Sequence, residues 1–211
     1  PDVVMGEAFS AEETLFIFDW DDTLLPTTWV QRQGLSLDAG SVPTDEQRGQ
    51  LQRAAECSRR TLQGAMQRGR VVIVTNGGQG WVELSCSKFM PSLAPVLVEV
   101  QIVSARATYE PQGIACPFEW KVHAFKKEIY GFYSGSGADV RRNVLSLGDS
   151  MHEHMALVNV AQGMLNCRAK SLKFVSFPGL EQLIEQHEVV SSRLDDIVDH
   201  DGDLSLEVLT N

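Results

Sequence analysis

Cysteine is scarce in this chain, with four in 211 residues, at positions 57, 86, 116 and 167. No two stand at a CxxC spacing, so neither a disulfide framework nor a thiolate zinc site is expected. Reduced thiols in a cytoplasmic compartment are the simplest expectation. Long apolar runs are missing as well, and without one a helical membrane span is excluded. Pro1 to Ser10 shows no basic region followed by a long apolar stretch, so no signal peptide is expected there. Basic charge is in deficit: 18 Lys and Arg against 28 Asp and Glu leave a net charge of −10. An acidic surface repels polyphosphate backbones, which disfavours nucleic acid as a partner. What is present is 43% hydrophobic residues and 22% charged ones, the balance of one folded domain rather than of a disordered chain.

Short apolar runs alternate with helical patterns from end to end. Strands are predicted at Leu15–Phe18, Val71–Val74, Val98–Val103, Val144–Leu147 and Leu172–Phe177. Each is bounded by turn or polar residues, as buried strands of a parallel sheet are. Between them Thr44-Asp-Glu-Gln47 reads as a capping box opening a helix that ends near Gly69. Further helices are predicted over Trp81–Met90, from Pro117 to about Tyr130, over His152–Ala161 and over Leu180–His187. This alternation implies right-handed βαβ units. The expected fold is α/β, a Rossmann-like three-layer sandwich with a central, mainly parallel five-stranded sheet. Residues 1–190 are expected to form it, with 191–211 an acidic C-terminal helix or tail on the same domain. Asp199 to Asp203 reads as a poorly ordered acidic run rather than a calcium loop.

In open α/β sheets ligands bind at the carboxyl ends of the strands. Three polar clusters fall there: Asp19-Trp-Asp-Asp-Thr23 after the first strand, Thr75-Asn-Gly-Gly78 after the second, and Gly148-Asp-Ser150 after the fourth. Three carboxylates within four residues repel one another unless a cation or a reaction uses them. A solvated turn with a helix cap explains one aspartate, not three.

These clusters together resemble the haloacid dehalogenase superfamily. Asp19, Asp21 and Thr23 match its DxDxT motif, Thr75 its second motif, and Gly148-Asp149 through Glu153 its GDSxxE form; Lys121 is the choice for its lysine, with Lys126 and Lys127 as rivals. The resemblance runs from Leu15 to Glu153. It implies a phosphomonoesterase in which Asp19 attacks phosphorus to form an aspartyl-phosphate and Asp21 is the acid/base. Thr75 would hold the phosphoryl group and Lys121 the charge between nucleophile and phosphate. It also implies Mg2+, bound by Asp19, the backbone carbonyl of Asp21 and Asp149, with Glu153 as an outer partner. Dehalogenase members lack the second aspartate, so Asp21 favours phosphate over halide. Asp22 departs from the glycine common at its position, and two roles are open to it: capping the next turn, or helping to repel the wrong anion.

No large cap domain is expected. The roughly twenty residues between Leu25 and Thr44 are too few, and Ser104–Pro117 is shorter still. The site walls would then be short loops, with Asn76, Gly77, Trp81 and Arg106 as substrate-binding candidates. An open site suits a phosphorylated protein or another large substrate. Two alternatives remain at this stage: a phosphate-sensing module with little turnover, and a small-metabolite phosphatase completed by oligomerisation.

Overall fold

The structure, a computed structural model, describes residues 8–137 and 139–210. Residues 1–7 of the opening stretch lie outside it. Six strands form one all-parallel sheet: β1 (Thr14–Phe18), β2 (Arg70–Thr75), β3 (Gln101–Ser104), β4 (Arg142–Gly148), β5 (Cys167–Lys173) and β6 (Leu204–Glu207). Their order is β3-β2-β1-β4-β5-β6, with β1 between β2 and β4. Helices cover both faces, giving a Rossmann-like α/β architecture: α1 (Thr27–Arg32), α2 (Asp45–Arg68), α3 (Trp81–Phe89), α4 (Ala94–Leu97), α5 (Ala105–Tyr109), α6 (Pro117–Phe132), α7 (Met151–Ala161) and α8 (Leu180–Asp199). No helix among the described residues is long and apolar enough to cross a membrane.

Side chains alternate across a strand, so a strand covered on both faces is apolar throughout. In β1, Phe16 and Phe18 join one core with Leu51, Leu62 and Ala65 of α2 and Leu183 and Val190 of α8. Leu15 and Ile17 join the other, with Ala124, Phe125 and Ile129 of α6 and Ala156 and Leu157 of α7. Thr44 caps α2 as the sequence predicts: its hydroxyl accepts the Gln47 amide and the Gln47 side chain accepts the Thr44 amide. Gly69 follows, where a Cβ would stand 2.4 Å from the Thr14 carbonyl oxygen, so only glycine lets α2 return tightly to β2.

The sheet has six strands, not the five expected. The sixth lies in the stretch read as a tail, and α8 extends beyond His187 to Asp199. The acidic run is ordered by its neighbours: Asp201 pairs with Arg168 at 2.9 Å and Asp203 accepts the Ala169 amide at 2.8 Å, which seats β6 beside β5. β5 itself begins five residues before the predicted run. Its sequence CRAKSLK carries Arg168, Lys170 and Lys173, and hydrophobicity alone does not find it. β3 likewise begins at Gln101, because Val98 is exposed after α4.

The order of strands reverses between β1 and β4, on either side of which the connections run to opposite edges. Such a switch point opens a crevice at the carboxyl ends of the strands. Asp19 and Asp149 sit there, one residue beyond β1 and β4.

Candidate functional site

Asp19 continues the β1–β4 ladder, its amide donating to Leu147 O at 2.8 Å. The chain then turns sharply. The Trp20 carbonyl accepts the amides of Leu24 and Leu25, each at 2.9 Å, while the Trp20 ring is fully buried with its N–H on Ser85 Oγ at 3.0 Å. Asp22 lies at φ 52°, the left-handed region that glycine enters freely and aspartate tolerates. Its carboxylate accepts the Thr28 amide at 2.7 Å and the Thr28 hydroxyl at 2.5 Å. Asp22 therefore caps α1, and this position is one where glycine or a short polar residue fits.

Two helices and the ends of two strands deliver the charged centre. Pro117 opens α6, and Lys121 on its second turn is buried. Its Nζ lies 2.6 Å from Asp19 Oδ1, 2.7 Å from Val74 O and 2.9 Å from Glu153 Oε1. An ammonium has three protons, and these three acceptors satisfy them all. Lys126 and Lys127 are exposed. Glu153 is the third helical residue of α7, where Ser150 and Glu153 form a capping box. Its Oε2 accepts from the Ser150 amide at 3.2 Å and hydroxyl at 2.6 Å. Glu153 reaches the cluster by folding over Gly148, where a Cβ would meet Glu153 Cγ at 2.4 Å.

Asp19, Asp149 and Glu153 form an acidic triad with ligand oxygens all within 4.8 Å of one another. Burial drives the Asp19 carboxyl up to about 8, with Glu153 and Asp21 adding repulsion and Lys121 pulling against them. Burial, with Glu153 and Asp22, raises Asp149 to about 7. Burial opposes the charge on Lys121 too, but Asp19 and Glu153 prevail and hold it firmly protonated. One ammonium does not let all three acids ionise together, and two of the carboxyls are accordingly pushed up. The donor set is all hard oxygen, the kind a divalent cation such as Mg2+ or Ca2+ takes. The triad could therefore hold a metal ion, and Glu153, with both oxygens already engaged, would be its most distant partner.

A second group adjoins the first. Asp21 Oδ1 accepts from Thr27 Oγ1 at 2.6 Å and from Trp81 Nε1 at 3.0 Å; Oδ2 accepts from the same indole at 3.1 Å and from Thr75 Oγ1 at 3.4 Å. Thr75 Oγ1 also accepts the Gly77 amide at 2.9 Å, and Ser104 Oγ donates to Gly77 O at 2.6 Å. The candidates Asp19, Lys121, Asp149 and Glu153 thus meet in one cluster, and Asp21, Thr75, Gly77 and Trp81 in its neighbour. Asn76 turns its amide to Pro117 O at 3.1 Å. Arg106 is exposed and turned to Glu110, four residues on in sequence, at 2.9 Å, with its guanidinium 5.9 Å from the Trp120 ring. Neither joins the cluster.

Thr27, Thr28 and a clamp beneath the turn were not foreseen. His187 Nε2 lies 2.7 Å from Thr23 O and Ser58 Oγ donates to Leu24 O at 2.9 Å, so α8 and α2 hold two carbonyls of the turn. The only sequence signal was the Thr-Thr pair after Pro26, a helix-start pattern. Compared with family models, with curated proteins and with solved structures, the chain gives no match in any of the three.

Proposed function

We propose that this protein is a Mg2+-dependent phosphomonoesterase in which Asp19 attacks the phosphorus of a phosphate ester. The observation that carries the proposal is the contact of Lys121 with Asp19 at 2.6 Å inside a triad of acids that outnumber the one lysine. A nucleophilic carboxylate needs cations around it before a phosphate dianion can approach. The DxDxT, Thr, Lys and GDSxxE set in chain order supports the same chemistry.

Magnesium, held by Asp19, the Asp21 carbonyl and Asp149, would supply the positive charge that offsets phosphate and nucleophile. The chain's own residues do the rest. Asp19 displaces the ester oxygen and carries the phosphoryl group as an aspartyl-phosphate. Asp21 gives a proton to that leaving oxygen, then takes one from the water that releases phosphate. Thr75 and the turn to Gly77 hold the phosphoryl oxygens, and Lys121 keeps Asp19 oriented. Residues 26–44 contain one six-residue helix and nothing that would lid the site. An open crevice on an acidic surface suits a phosphorylated protein side chain better than a nucleic acid. Four free cysteines suit a reducing compartment such as the cytoplasm.

The test is phosphate release from phosphopeptides, sugar phosphates and nucleotides, with magnesium and with EDTA. Release that needs magnesium and falls at least about 10³-fold in Asp19→Asn is the expected result. Tight binding of a phosphate mimic without turnover would instead make this a sensing module.

A further inference from the structure

The geometry points to Trp81 as a positioning residue for Asp21, one that equips the site for alkyl phosphate esters, whose leaving oxygen departs only with a proton. The role rests on the phosphatase function proposed above. Trp81 was expected to be a substrate-binding wall. Its indole N–H instead bisects the Asp21 carboxylate, 3.0 Å from one oxygen and 3.1 Å from the other. Thr27 and Thr75 complete the set, so donors from α1, β2 and α3 converge on one carboxylate. Asp21 is not among the triad whose oxygens lie within 4.8 Å of one another. Its carboxylate is held beside the triad rather than in it, where an acid/base is wanted.

The segment after β2 is shaped to deliver this indole. A Cβ on Gly77 would stand 2.3 Å from Trp81 Cδ1 and 2.8 Å from Cγ, so the ring lies directly on the Thr75–Gly77 turn. Gly80 starts α3 from φ 79°, a left-handed conformation that brings Trp81 back over that turn at the first helical position. Both glycines serve the same placement. In the step itself Asp21 enters protonated on the oxygen that Thr75 contacts only at 3.4 Å; the ester P–O bond breaks as Asp19 bonds to phosphorus, and that proton passes to the departing oxygen. A rotamer lost here leaves the alkoxide unprotonated. An aryl ester such as 4-nitrophenyl phosphate departs as a stable anion and barely needs the proton.

Trp81→Phe keeps an aromatic ring beside Gly77 but trades the indole for a smaller ring that has no N–H to give Asp21. With an alkyl ester such as phosphoserine peptide, kcat should fall about 30- to 100-fold, up to the low end of the roughly 10²–10⁴-fold that acid–base help is worth, because Asp21 is misplaced rather than removed. With 4-nitrophenyl phosphate the loss should stay below about 5-fold, and KM should hold for both. An activity-free readout accompanies these: in Asp21→Asn the Trp81 indole N–H resonance should shift, while those of Trp20 and Trp120, bonded to Ser85 and Ile114, should stay. Equal losses on both esters, no loss in Trp81→Phe, or an unmoved Trp81 resonance would each overturn the role. A wild type that hydrolyses neither ester overturns the phosphatase function and this role with it. That result is told apart from the others because in them the wild type is active.

Discussion

Two lysines are buried in this protein, and they live in opposite electrostatic worlds. Lys121 is 1% exposed and Lys170, on β5, is 0% exposed. Lys121 faces two carboxylates, which overcome burial and strengthen its charge. The Lys170 ammonium meets no carboxylate at contact distance among the described residues. It donates to Val198 O in the last turn of α8 at 2.7 Å and lies 4.7 Å from the centroid of the Phe9 ring. Burial pulls it down to about 8, only partly offset by Asp199 and Asp201. A lysine at a helix C-terminus satisfies a free carbonyl and the helix dipole. Lys170 is therefore explained by structure alone. At Lys121 the acids outnumber the base, and the surplus acids form a group that could hold a cation.

The sharpest way to break this contrast is to give both lysines the same substitution. Lys121→Met leaves Asp19 and Glu153 buried without their partner. Removing one member of a buried ion pair costs about 3–5 kcal/mol, and denaturant unfolding near pH 7 should show a loss of that size. A loss below about 1 kcal/mol would mean that the cluster is not charged as described. The surplus of acids makes the next expectation: magnesium should stabilise the wild type by about 3 kcal/mol at a hundred times its dissociation constant. Asp149→Ala should abolish that gain, and thermal melts with and without the metal would measure both.

Lys170→Met should do the reverse and stabilise the protein. With a folded pKa of about 8 against an ordinary 10.5, both states are protonated below pH 8 and folding bears the full cost of burying the charge. Allowing for the lost hydrogen bond, the variant should lead by about 2 kcal/mol at pH 7. Between pH 8 and 10.5 only the unfolded chain holds the proton, so wild-type stability rises and the lead should shrink. A lead that is constant with pH would show that Lys170 is already comfortable in its charged form.

Much of this was legible before any coordinates. Asp19, Thr75 and Asp149 stand directly after apolar runs, so strand ends placed them. Lys121 was harder, since three lysines share α6, and only the fold distinguishes the one that faces β1. β5 was misplaced for a related reason: Lys170 breaks the apolar run, yet its stem is buried and its charge capped by Val198 O. β6 was missed because its seat depends on Arg168 and the Ala169 amide, over thirty residues away in sequence. Thr27 and Thr28 look like any helix start until the turn above them folds back. Long-range pairing of polar groups leaves no periodic trace, and each omission was of that kind.

The smallest effect concerns His187, a third buried group, which differs from both lysines in being held neutral. Thr61 Oγ1 lies 2.9 Å from Nδ1, and Thr23 O lies 2.7 Å from Nε2. The carbonyl can only accept, so Nε2 carries the proton and Nδ1 accepts from the Thr61 hydroxyl. A second proton would have to displace that hydroxyl bond. Burial accordingly lowers the imidazole to about 4 from an ordinary 6.5, against the raising pull of Thr23 O. Between those values the unfolded chain binds a proton that the folded one does not. Stability is therefore complete above about pH 6.5 and falls as the pH drops toward 4. Between pH 7 and 5 this amounts to about 1–2 kcal/mol. His187→Gln keeps an N–H for Thr23 O but cannot titrate, so the wild type should lose stability relative to it by that amount across the window. Parallel curves for the two proteins would show that acid acts elsewhere, and that the clamp on the Asp19–Thr23 turn survives protonation.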